Sequence, residues 1–232
     1  MKPPEEQPTS FDSYADEYAA LIRDPIRDRF ADSSRFFFER KIQVIRRFCE
    51  KAHLQTGELA WLDVGCGQGD LLRLGAPHFK SSSGCDPSQG MLKSCADLDV
   101  RHQTSLESLP FDDRSFDFVT AVCVYHHVPL DRRPLLTAEA FRVLKPKGIF
   151  CIIEHNPWNP VTRLIVSRTP VDADAHLLSA KAAGRLLRAG GGKVLGRRFF
   201  LMFPERLRYL VPVEELIPSF PLGGQYAVFA QT

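Results

Sequence analysis

The sequence contains no apolar run of the ~18 residues that a membrane-spanning helix requires. Its first ten residues are polar and proline-rich and have no apolar centre, so they do not resemble a secretory signal. A strong charge of either sign is also missing, since 30 Lys and Arg against 28 Asp and Glu leave a formal net charge of +2. The basic pairs are dispersed and form no stripe. We therefore expect neither a membrane span nor a nucleic-acid partner, while peripheral membrane contact and the oligomeric state stay open.

The six cysteines form no Cys-x-x-Cys pair and follow no spacing typical of secreted domains. Cys85, Cys123 and Cys151 lie in apolar runs of strand length, where a reduced thiol packs as a small apolar side chain. These features favour a reducing, cytoplasmic compartment. With 232 residues, 44% of them hydrophobic, the chain is long enough to bury a large core without disulfides.

Beyond Gly57, apolar runs of strand length alternate with amphipathic segments. This alternation is typical of βαβ units and a parallel sheet. The predicted fold is a Rossmann-like α/β domain, with a seven-stranded, mostly parallel sheet, helices on both faces and a C-terminal antiparallel strand. Strands are predicted at 59–64, 83–86, 100–103, 116–123, 148–154, 193–203 and 225–230. Helices are predicted at 11–21, 34–51, 70–74, 88–96, 131–144 and 179–189.

The same patterns predict how the chain is organised. Residues 1–10 are expected to be a disordered leader, and residues 11–56 a helical N-terminal cap. Residues 57–232 would form the main domain, with an insertion at about 156–178, where prolines are frequent.

The most informative segment is a glycine-rich turn, which reads WLDVGCGQGD over residues 61–70. A predicted strand ends near Asp63, three glycines follow at alternate positions, and a helix begins at Asp70. Glycines let the backbone turn sharply and approach a flat ligand. A dinucleotide fingerprint would read GxGxxG, with a pyrophosphate over the helix N-terminus. A carboxylate so close to the loop suits a ligand that carries an ammonium and a sulfonium better than it suits a pyrophosphate.

A second acidic residue, Asp86, closes the next predicted strand. A carboxylate at this place can accept hydrogen bonds from both hydroxyls of a ribose. A tight strand–helix turn with no ligand is the simpler interpretation of the glycines alone. The glycine turn, Asp63, Asp86 and the βαβ context together favour a nucleoside cofactor.

Four segments carry a family resemblance: LDVGCGQGD, GCDPSQGML, LPFDDRSFDFVTAVCVYHHV and EAFRVLKPKGIF. In this order and spacing they resemble the class I S-adenosylmethionine-dependent methyltransferases, in particular the small-molecule, ubiquinone-type branch (methyltransferase type 11). The resemblance covers roughly residues 40–155. It implies an enzyme that uses S-adenosylmethionine, with Asp63 near its methionine end and Asp86 on its ribose. It also implies cofactor contacts at Gly65, Cys66, Gly67, Gly69, Pro87, Met91, Leu106 and Val124.

One position departs from the family pattern. Many relatives carry an acidic residue after the third strand that accepts from the adenine amino group, and here the matching residue is Ser105. Adenine recognition would then use the Ser105 hydroxyl, backbone groups, or apolar packing by Leu106 and Met91. Arg40 and Lys41, on the helix before the domain, are possible partners for the cofactor carboxylate, or else they lie on a solvated helix face.

Two histidines, His126 and His127, follow the fourth predicted strand and are the expected catalytic residues. In open α/β sheets, ligands bind beyond the carboxyl ends of the strands. A histidine there can deprotonate or orient a hydroxyl, although both could also be structural. Glu154 and His155 end the fifth strand and could reach the same crevice. These residues lack a recognisable ligand spacing, so no metal site is predicted.

The acceptor is expected to be a small molecule, methylated at a hydroxyl ahead of carbon or nitrogen. Apolar residues in the N-terminal helices, the insertion and the C-terminal tail suggest an apolar or aromatic acceptor, although most of them could simply pack the core. Two alternatives stay open: a methyltransferase acting on tRNA or protein, and a non-catalytic pseudo-methyltransferase. The residues considered for the pocket are Phe11, Tyr14, Tyr18, Phe36, Phe37, Phe38, Trp158, Leu164, Ile165, Val166, Phe199, Phe200, Met202 and Phe203.

Overall fold

A computed structural model describes residues 10–232, so the expected leader lies outside the described residues except for its last position. Seven strands of the described chain form one sheet in the order β3-β2-β1-β4-β5-β7-β6. Strands β1 to β5 run parallel, while β7 is antiparallel to both of its neighbours, β5 and β6. The strands are β1 (Ala60–Val64), β2 (Ser81–Asp86), β3 (Val100–His102), β4 (Phe116–Val122), β5 (Leu144–His155), β6 (Lys193–Phe200) and β7 (Gln225–Gln231).

The predicted fold class is therefore confirmed, including the antiparallel strand at the C-terminal end. Ten α-helices accompany the sheet in residues 10–232. They are α1 (Ser10–Tyr14), α2 (Tyr18–Leu21), α3 (Pro25–Phe30), α4 (Ser34–Lys51), α5 (Asp70–Gly75), α6 (Gln89–Leu92), α7 (Arg133–Arg142), α8 (Pro160–Val166), α9 (Ala180–Ala189) and α10 (Val211–Leu216). Short 3-10 helices occur at Thr56–Glu58, Ala76–His78, Lys93–Cys95, Pro170–Asp172 and Glu205–Leu210. None of the described helices is long and apolar enough to cross a membrane.

The core has two apolar layers because successive strand residues point to opposite faces of the sheet. Leu62 belongs to one layer, and its neighbour Trp61, which is fully buried, belongs to the other. Helices α7 and α9 cover the first layer, and α4 and α5 cover the second. Helix α4 has the predicted bounds because its apolar residues recur at helical spacing and pack on the sheet.

Three local elements differ from the predicted secondary structure. The predicted helix 11–21 is two short helices, α1 and α2. Helix α3 was not predicted, although Asp24 caps it by accepting from the backbone of Ile26 and Pro25 is its first residue. Strand β5 begins at Leu144, ahead of the predicted start of this strand at residue 148. A register shift against β4 absorbs the extra residues.

Candidate active site

A cavity of about 900 Å³ opens at the carboxyl edge of the sheet, where β1, β2, β4 and β5 end. This is the edge at which ligands bind in open α/β sheets. The N-terminal segment 10–30, which we call the lid, lines one side of the cavity. The insertion after β5 lines another side. Eleven of the thirteen site residues expected from the sequence line this cavity: Asp63, Gly65, Cys66, Gly67, Asp86, Pro87, Met91, Leu106, Val124, His126 and His127.

The glycine turn connects β1 to α5 and forms the floor of the cavity. Gly65, Gly67 and Gly69 have φ values of 71°, 55° and 79°, the left-handed region that favours glycine. A Cβ built on Gly67 would meet no atom within 4 Å, so this position is open to a ligand. Gly69 does not line the cavity, because the side of its backbone where a Cβ would lie faces Leu98 and Cys95.

Asp86, at the end of β2, holds the glycine turn from the side. Its Oδ2 accepts from the backbone N–H of Gly67 at 2.8 Å, and its Oδ1 accepts from that of Ser88 at 2.8 Å. Burial raises the pKa of the Asp86 carboxyl, while the two backbone N–H groups oppose that rise. A carboxylate oxygen accepts more than one hydrogen bond, so both oxygens keep capacity for the hydroxyls of a ligand.

Asp63, at the end of β1, is 2% exposed and also lines the cavity. Its Oδ1 accepts from the Thr120 hydroxyl at 2.6 Å, and the Thr120 oxygen accepts from the Trp61 indole at 2.9 Å. Burial raises the pKa of Asp63 to about 7, against the opposing effects of Thr120 and of the Lys41 charge.

The two basic residues considered on α4 have different surroundings. Lys41 lines the cavity, and its Nζ lies 4.7 Å from the centre of the Phe38 ring. Arg40 does not line the cavity and forms a buried ion pair with Glu214 of α10. Lys41 is therefore the residue of the two that is placed to meet a carboxylate in the cavity.

These residues fit S-adenosylmethionine, the cofactor implied by the resemblance. The buried Asp63 carboxyl suits an ammonium group, and Lys41 suits a carboxylate. The methionine end of the cofactor carries both of these groups. Gly67 leaves room for a flat group, and Asp86 can accept from ribose hydroxyls. The expected adenine contact at Ser105 has no such support. Ser105 is exposed, lies outside the cavity lining, and uses its hydroxyl to accept from the backbone of Glu107 at 3.0 Å.

Gln103, which sequence reasoning missed, lines the cavity beside the predicted cofactor residues and is 2% exposed. Its Nε2 donates to the carbonyl of Ser105 at 2.9 Å. Its position immediately after β3, on the same edge of the sheet as Asp63 and Asp86, was the signal that could have identified it.

The histidines expected to be catalytic lie in a buried cluster at the carboxyl ends of β4 and β5. His126 Nδ1 is 2.6 Å from Glu154 Oε2, and Glu154 Oε1 accepts from the backbone of Tyr125 at 2.7 Å. The Oδ1 atom of Asp172 is 3.4 Å from the Nε2 atom of His126 and 3.4 Å from that of His127. Asp172 was not predicted from the sequence as a site residue. The His126 ring centre is 5.1 Å from that of His155. The site therefore combines residues from two strand ends and the insertion.

The surroundings shift the pKa values of this cluster in opposite directions. Burial alone would lower the pKa of His126, but the carboxylates of Glu154 and Asp172 outweigh it and raise this pKa to about 10. Burial and the neighbouring His126 lower the pKa of His127 and of His155 to about 4. The pKa of Glu154 falls to about 2 because the charge and hydrogen bond of His126 outweigh burial.

The lid packs against His127 and against the segment that follows Asp86 and Pro87. Asp12 Oδ1 accepts from the Ser88 hydroxyl and from the backbone of Gly90, both at 2.8 Å. The Phe11 ring contacts the His127 ring edge-on, with centroids 4.9 Å apart. These contacts hold α1 against the wall of the cavity.

The apolar residues considered for an acceptor pocket divide into two groups. Phe11, Tyr18, Phe37, Phe38, Ile165, Val166 and Met202 line the cavity. Trp158 does not, and it is 74% exposed on the surface. The remaining residues outside the cavity lining are Tyr14, Phe36, Leu164, Phe199, Phe200 and Phe203.

The central part of the chain is similar in sequence to known methyltransferases. Residues 62–152 match the family described as "Methyltransferase domain". The chain is 34% identical to a demethylmenaquinone methyltransferase of Symbiobacterium thermophilum over 132 residues, 52% of this chain and 51% of that protein. It is 38% identical to a phthiotriol/phenolphthiotriol dimycocerosates methyltransferase of Mycobacterium tuberculosis over 112 residues, 43% of this chain and 39% of that protein. The chain thus spans about half the length, or less, of these curated relatives.

The fold is shared more widely than the sequence. A methyltransferase structure from Thermotoga maritima, described as a possible histamine N-methyltransferase, aligns with a TM-score of 0.67 and 19% identity, covering 95% of this chain and 97% of that one. Residues 62–152 thus match a methyltransferase domain, and the chain has the fold of S-adenosylmethionine-dependent methyltransferase structures.

Proposed function

We propose that this chain, which contains a class I methyltransferase domain, transfers a methyl group from S-adenosylmethionine to the hydroxyl of a small, mainly apolar acceptor. One observation carries the proposal: a single cavity joins a polar half, around Gly67 and Asp86, to an apolar half, with His126 and His127 also in its wall. Such a cavity can hold the cofactor and the acceptor side by side.

The polar half binds and orients the cofactor. S-Adenosylmethionine supplies a methyl group that is already activated on a positively charged sulfur. Lys41 and Asp63 are placed for the carboxylate and ammonium of its methionine end, and Asp86 for its ribose. Because the methyl group is activated, the protein contributes chiefly by aligning the two reactants, which can be worth ~7–11 kcal/mol.

The apolar half is lined by side chains from the lid, α4 and the insertion. Phe30 and Phe37 stack on one side, with ring centroids 6.0 Å apart. Ile165, Val166 and Val171 come from the insertion. We therefore assign the N-terminal cap (11–56) and the insertion (156–178) to acceptor binding, and residues 57–232 to the catalytic domain. The acceptors named for two relatives, demethylmenaquinone and the phthiotriol-type dimycocerosates, agree with an apolar acceptor.

A side chain in the cavity wall, Gln225, has a buried oxygen that could accept from a hydroxyl on the acceptor. Gln225 Oε1 has no hydrogen-bond partner within residues 10–232, and Gln225 is 6% exposed at the start of β7. An unpaired buried acceptor costs about 1–3 kcal/mol, so a rotation of the Gln225 side chain that lets Oε1 accept from a ligand in the cavity would increase affinity. A hydroxyl donates such a bond, whereas an ether or a ketone does not. His126 and His127, in the same cavity, are our proposed catalytic residues for this hydroxyl.

The cofactor half is tested by calorimetry with S-adenosylhomocysteine, the demethylated product. Asp86→Ala should weaken binding about 30- to 150-fold, the equivalent of losing hydrogen bonds to a charged group worth about 2–3 kcal/mol. Asp32→Ala, a change of an exposed carboxylate outside the cavity, should bind like the unaltered protein. Equal affinities in the two variants would contradict the cofactor assignment.

The acceptor half is tested with a panel of hydroxyl compounds ordered by polarity and with labelled S-adenosylmethionine. Turnover should rise with apolar character, and Phe37→Ala should raise KM for the preferred acceptor. Trp158→Ala is the matched control, because Trp158 is exposed and outside the cavity. Methylation of tRNA or protein instead, or of polar compounds only, would refute the apolar acceptor. Cofactor binding without any methyl transfer would indicate a pseudo-methyltransferase.

A further inference from the structure

The two nitrogens of the buried His126 ring have different surroundings. Nδ1 is 2.6 Å from Glu154 Oε2, a short charge-assisted hydrogen bond. Nε2, on the other side of the ring, is 3.4 Å from Asp172 Oδ1. The Nε2 atom of His127 is also 3.4 Å from the same Asp172 oxygen. A charged N–H···O bond is normally about 2.7–2.9 Å, so these two contacts are too long to be strong hydrogen bonds.

The longer distance is the one expected between two ligands of a common metal ion. In a tetrahedral site, metal–nitrogen and metal–oxygen bonds of about 2.0–2.2 Å place the ligand atoms roughly 3.3–3.5 Å apart. Potential ligand atoms of His126, His127 and Asp172 all lie within 4.8 Å of one another. The three side chains, which come from two sequence regions, are therefore close enough to share one ion.

The surroundings of His126 are those of a metal ligand. An N–H donated to a carboxylate fixes the ring and presents the other nitrogen as a lone pair, as in carboxylate–histidine–metal sites. Here Glu154 would accept from Nδ1–H, which leaves Nε2 directed at Asp172. Within the described chain, the ion-pair partners of Glu154 and Asp172 are histidines only, and no Lys or Arg pairs with either carboxylate. A bound cation would take the place of the second ring proton of His126 and would compensate the two buried carboxylates in its stead.

We propose that His126 Nε2, His127 Nε2 and Asp172 Oδ1 form a binding site for a divalent transition-metal ion of the Zn²⁺ type. Three protein ligands leave one position of a tetrahedral ion open, as in catalytic zinc sites. All three residues line the large cavity, so the open position faces the acceptor side. The proposal rests on the proposed function in one respect: the oxygen that takes this position is the acceptor hydroxyl, which a metal ion polarises and orients. Metal binding itself requires no methyl transfer.

The ligand set explains why no metal site was predicted from the sequence. His126 and His127 are adjacent, but Asp172 comes from the insertion, in the 3-10 helix Pro170–Asp172. No short motif contains the three residues. The backbone N–H of His176 donates to the His126 carbonyl at 2.8 Å and ties this part of the insertion to the end of β4.

Zinc binding to the full chain is the direct test. The protein is first treated with a chelator, freed of it, and then titrated with ZnCl₂ by calorimetry. Co²⁺ is added in a parallel titration to record its visible absorption as a report on ligand geometry. The variants are His127→Ala and Asp172→Ala, which avoid the more deeply buried His126. His176→Ala is the matched control, since its exposed side chain lies outside the cluster. S-Adenosylhomocysteine affinity and thermal melting of every variant verify folding.

The unaltered protein and His176→Ala should bind one Zn²⁺ per chain. His127→Ala and Asp172→Ala should each lose at least about 100-fold in Zn²⁺ affinity, more than removal of an outer hydrogen-bond partner costs. Their affinity for S-adenosylhomocysteine should stay within a few-fold. No Zn²⁺ binding by a protein that still binds S-adenosylhomocysteine would overturn the metal site and leave the methyltransferase assignment standing. Unchanged Zn²⁺ affinity in both variants would also overturn it. Failure to bind S-adenosylhomocysteine would instead refute the proposed function, whatever the metal result.

Discussion

At the scale of single residues, the surroundings of the Asp63 carboxyl shift its pKa in opposite directions. It is buried at the end of β1, which raises its pKa to about 7. Thr120 of β4 and Lys41 of α4 favour its ionised form, while Asp86 of β2 disfavours it. The ionised form is the one that attracts the ammonium of the cofactor. Affinity for S-adenosylmethionine should therefore increase as the pH rises from about 6 to 8 and Asp63 loses its proton.

Calorimetry across this pH range, with Asp63→Asn as the comparison, measures the effect. The variant should bind more weakly at pH 8, and its affinity should lose most of the pH dependence. The effect of pH on the free energy of unfolding has the opposite sign to its effect on cofactor affinity. A carboxyl whose pKa is raised by folding binds its proton more tightly in the folded state. The folded protein without cofactor is therefore destabilised as the pH rises from about 4 towards 7. A variant with the same pH dependence as the unaltered protein would exclude Asp63 as the titrating group.

At the scale of elements, a buried ion pair joins α4 to α10. Arg40 pairs with Glu214, whose second oxygen accepts from the backbone of Met202 at 2.8 Å. Removing one partner leaves the other charge buried and uncompensated, so Glu214→Ala should lower the free energy of unfolding by about 3–5 kcal/mol. Denaturant unfolding measures this, with Asp28→Ala as the control. Asp28 pairs with Arg23 on the surface, where a pair is worth less than about 1 kcal/mol.

A double variant separates the two causes of that loss. If the cost comes from the buried charge of Arg40, then Arg40→Met combined with Glu214→Leu should recover much of the stability lost in Glu214→Ala. No recovery in the double variant would assign the loss to the Met202 hydrogen bond or to packing.

Substitutions in the lid should change acceptor binding more than cofactor binding. Phe11 contacts His127 edge-on, and such aromatic contacts add about 0.5–1.5 kcal/mol to the burial of the ring. Phe11→Ala should raise KM for the acceptor roughly tenfold and change the affinity for S-adenosylhomocysteine less than twofold. Phe220→Ala, which changes an exposed ring outside the cavity, should alter neither quantity. An equal loss of cofactor and acceptor binding in Phe11→Ala would show that α1 supports the whole site.

At the scale of the whole molecule, cofactor binding should stabilise the fold, because the cavity is built from the ends of four strands and the lid. A ligand at 100 times its Kd adds about 2.7 kcal/mol to the stability of the state that binds it. For a chain of this length, the melting temperature should rise by roughly 5–10 °C with S-adenosylhomocysteine. Calorimetric melting measures this shift. Asp86→Ala should reduce it at the same ligand concentration, and an unchanged melting temperature in the unaltered protein would argue against the site.

The strand pattern, the glycine turn and the two strand-end aspartates could be predicted from the sequence, because each depends on residues close together in the chain. Alternating apolar runs determine which segments are strands. Positive φ values at Gly65 and Gly67 follow from the tight turn between β1 and α5. A parallel sheet then brings Asp63 and Asp86 to one edge, whatever the remaining residues are.

Other features depend on which distant segments meet, and only the tertiary structure decided them. Arg40 and Lys41 were equal candidates for the cofactor carboxylate, and packing of α4 against α10 paired Arg40 with Glu214. Trp158 was a candidate for the pocket because it is apolar and lies in the insertion, but it precedes α8 and is exposed on the surface. Asp172 joined the histidines because the insertion folds back over β4 and β5. Local patterning therefore determined the fold, the glycine turn and the two strand-end aspartates, whereas the position of Lys41 and the acceptor half depended on long-range packing that no short stretch of sequence specifies.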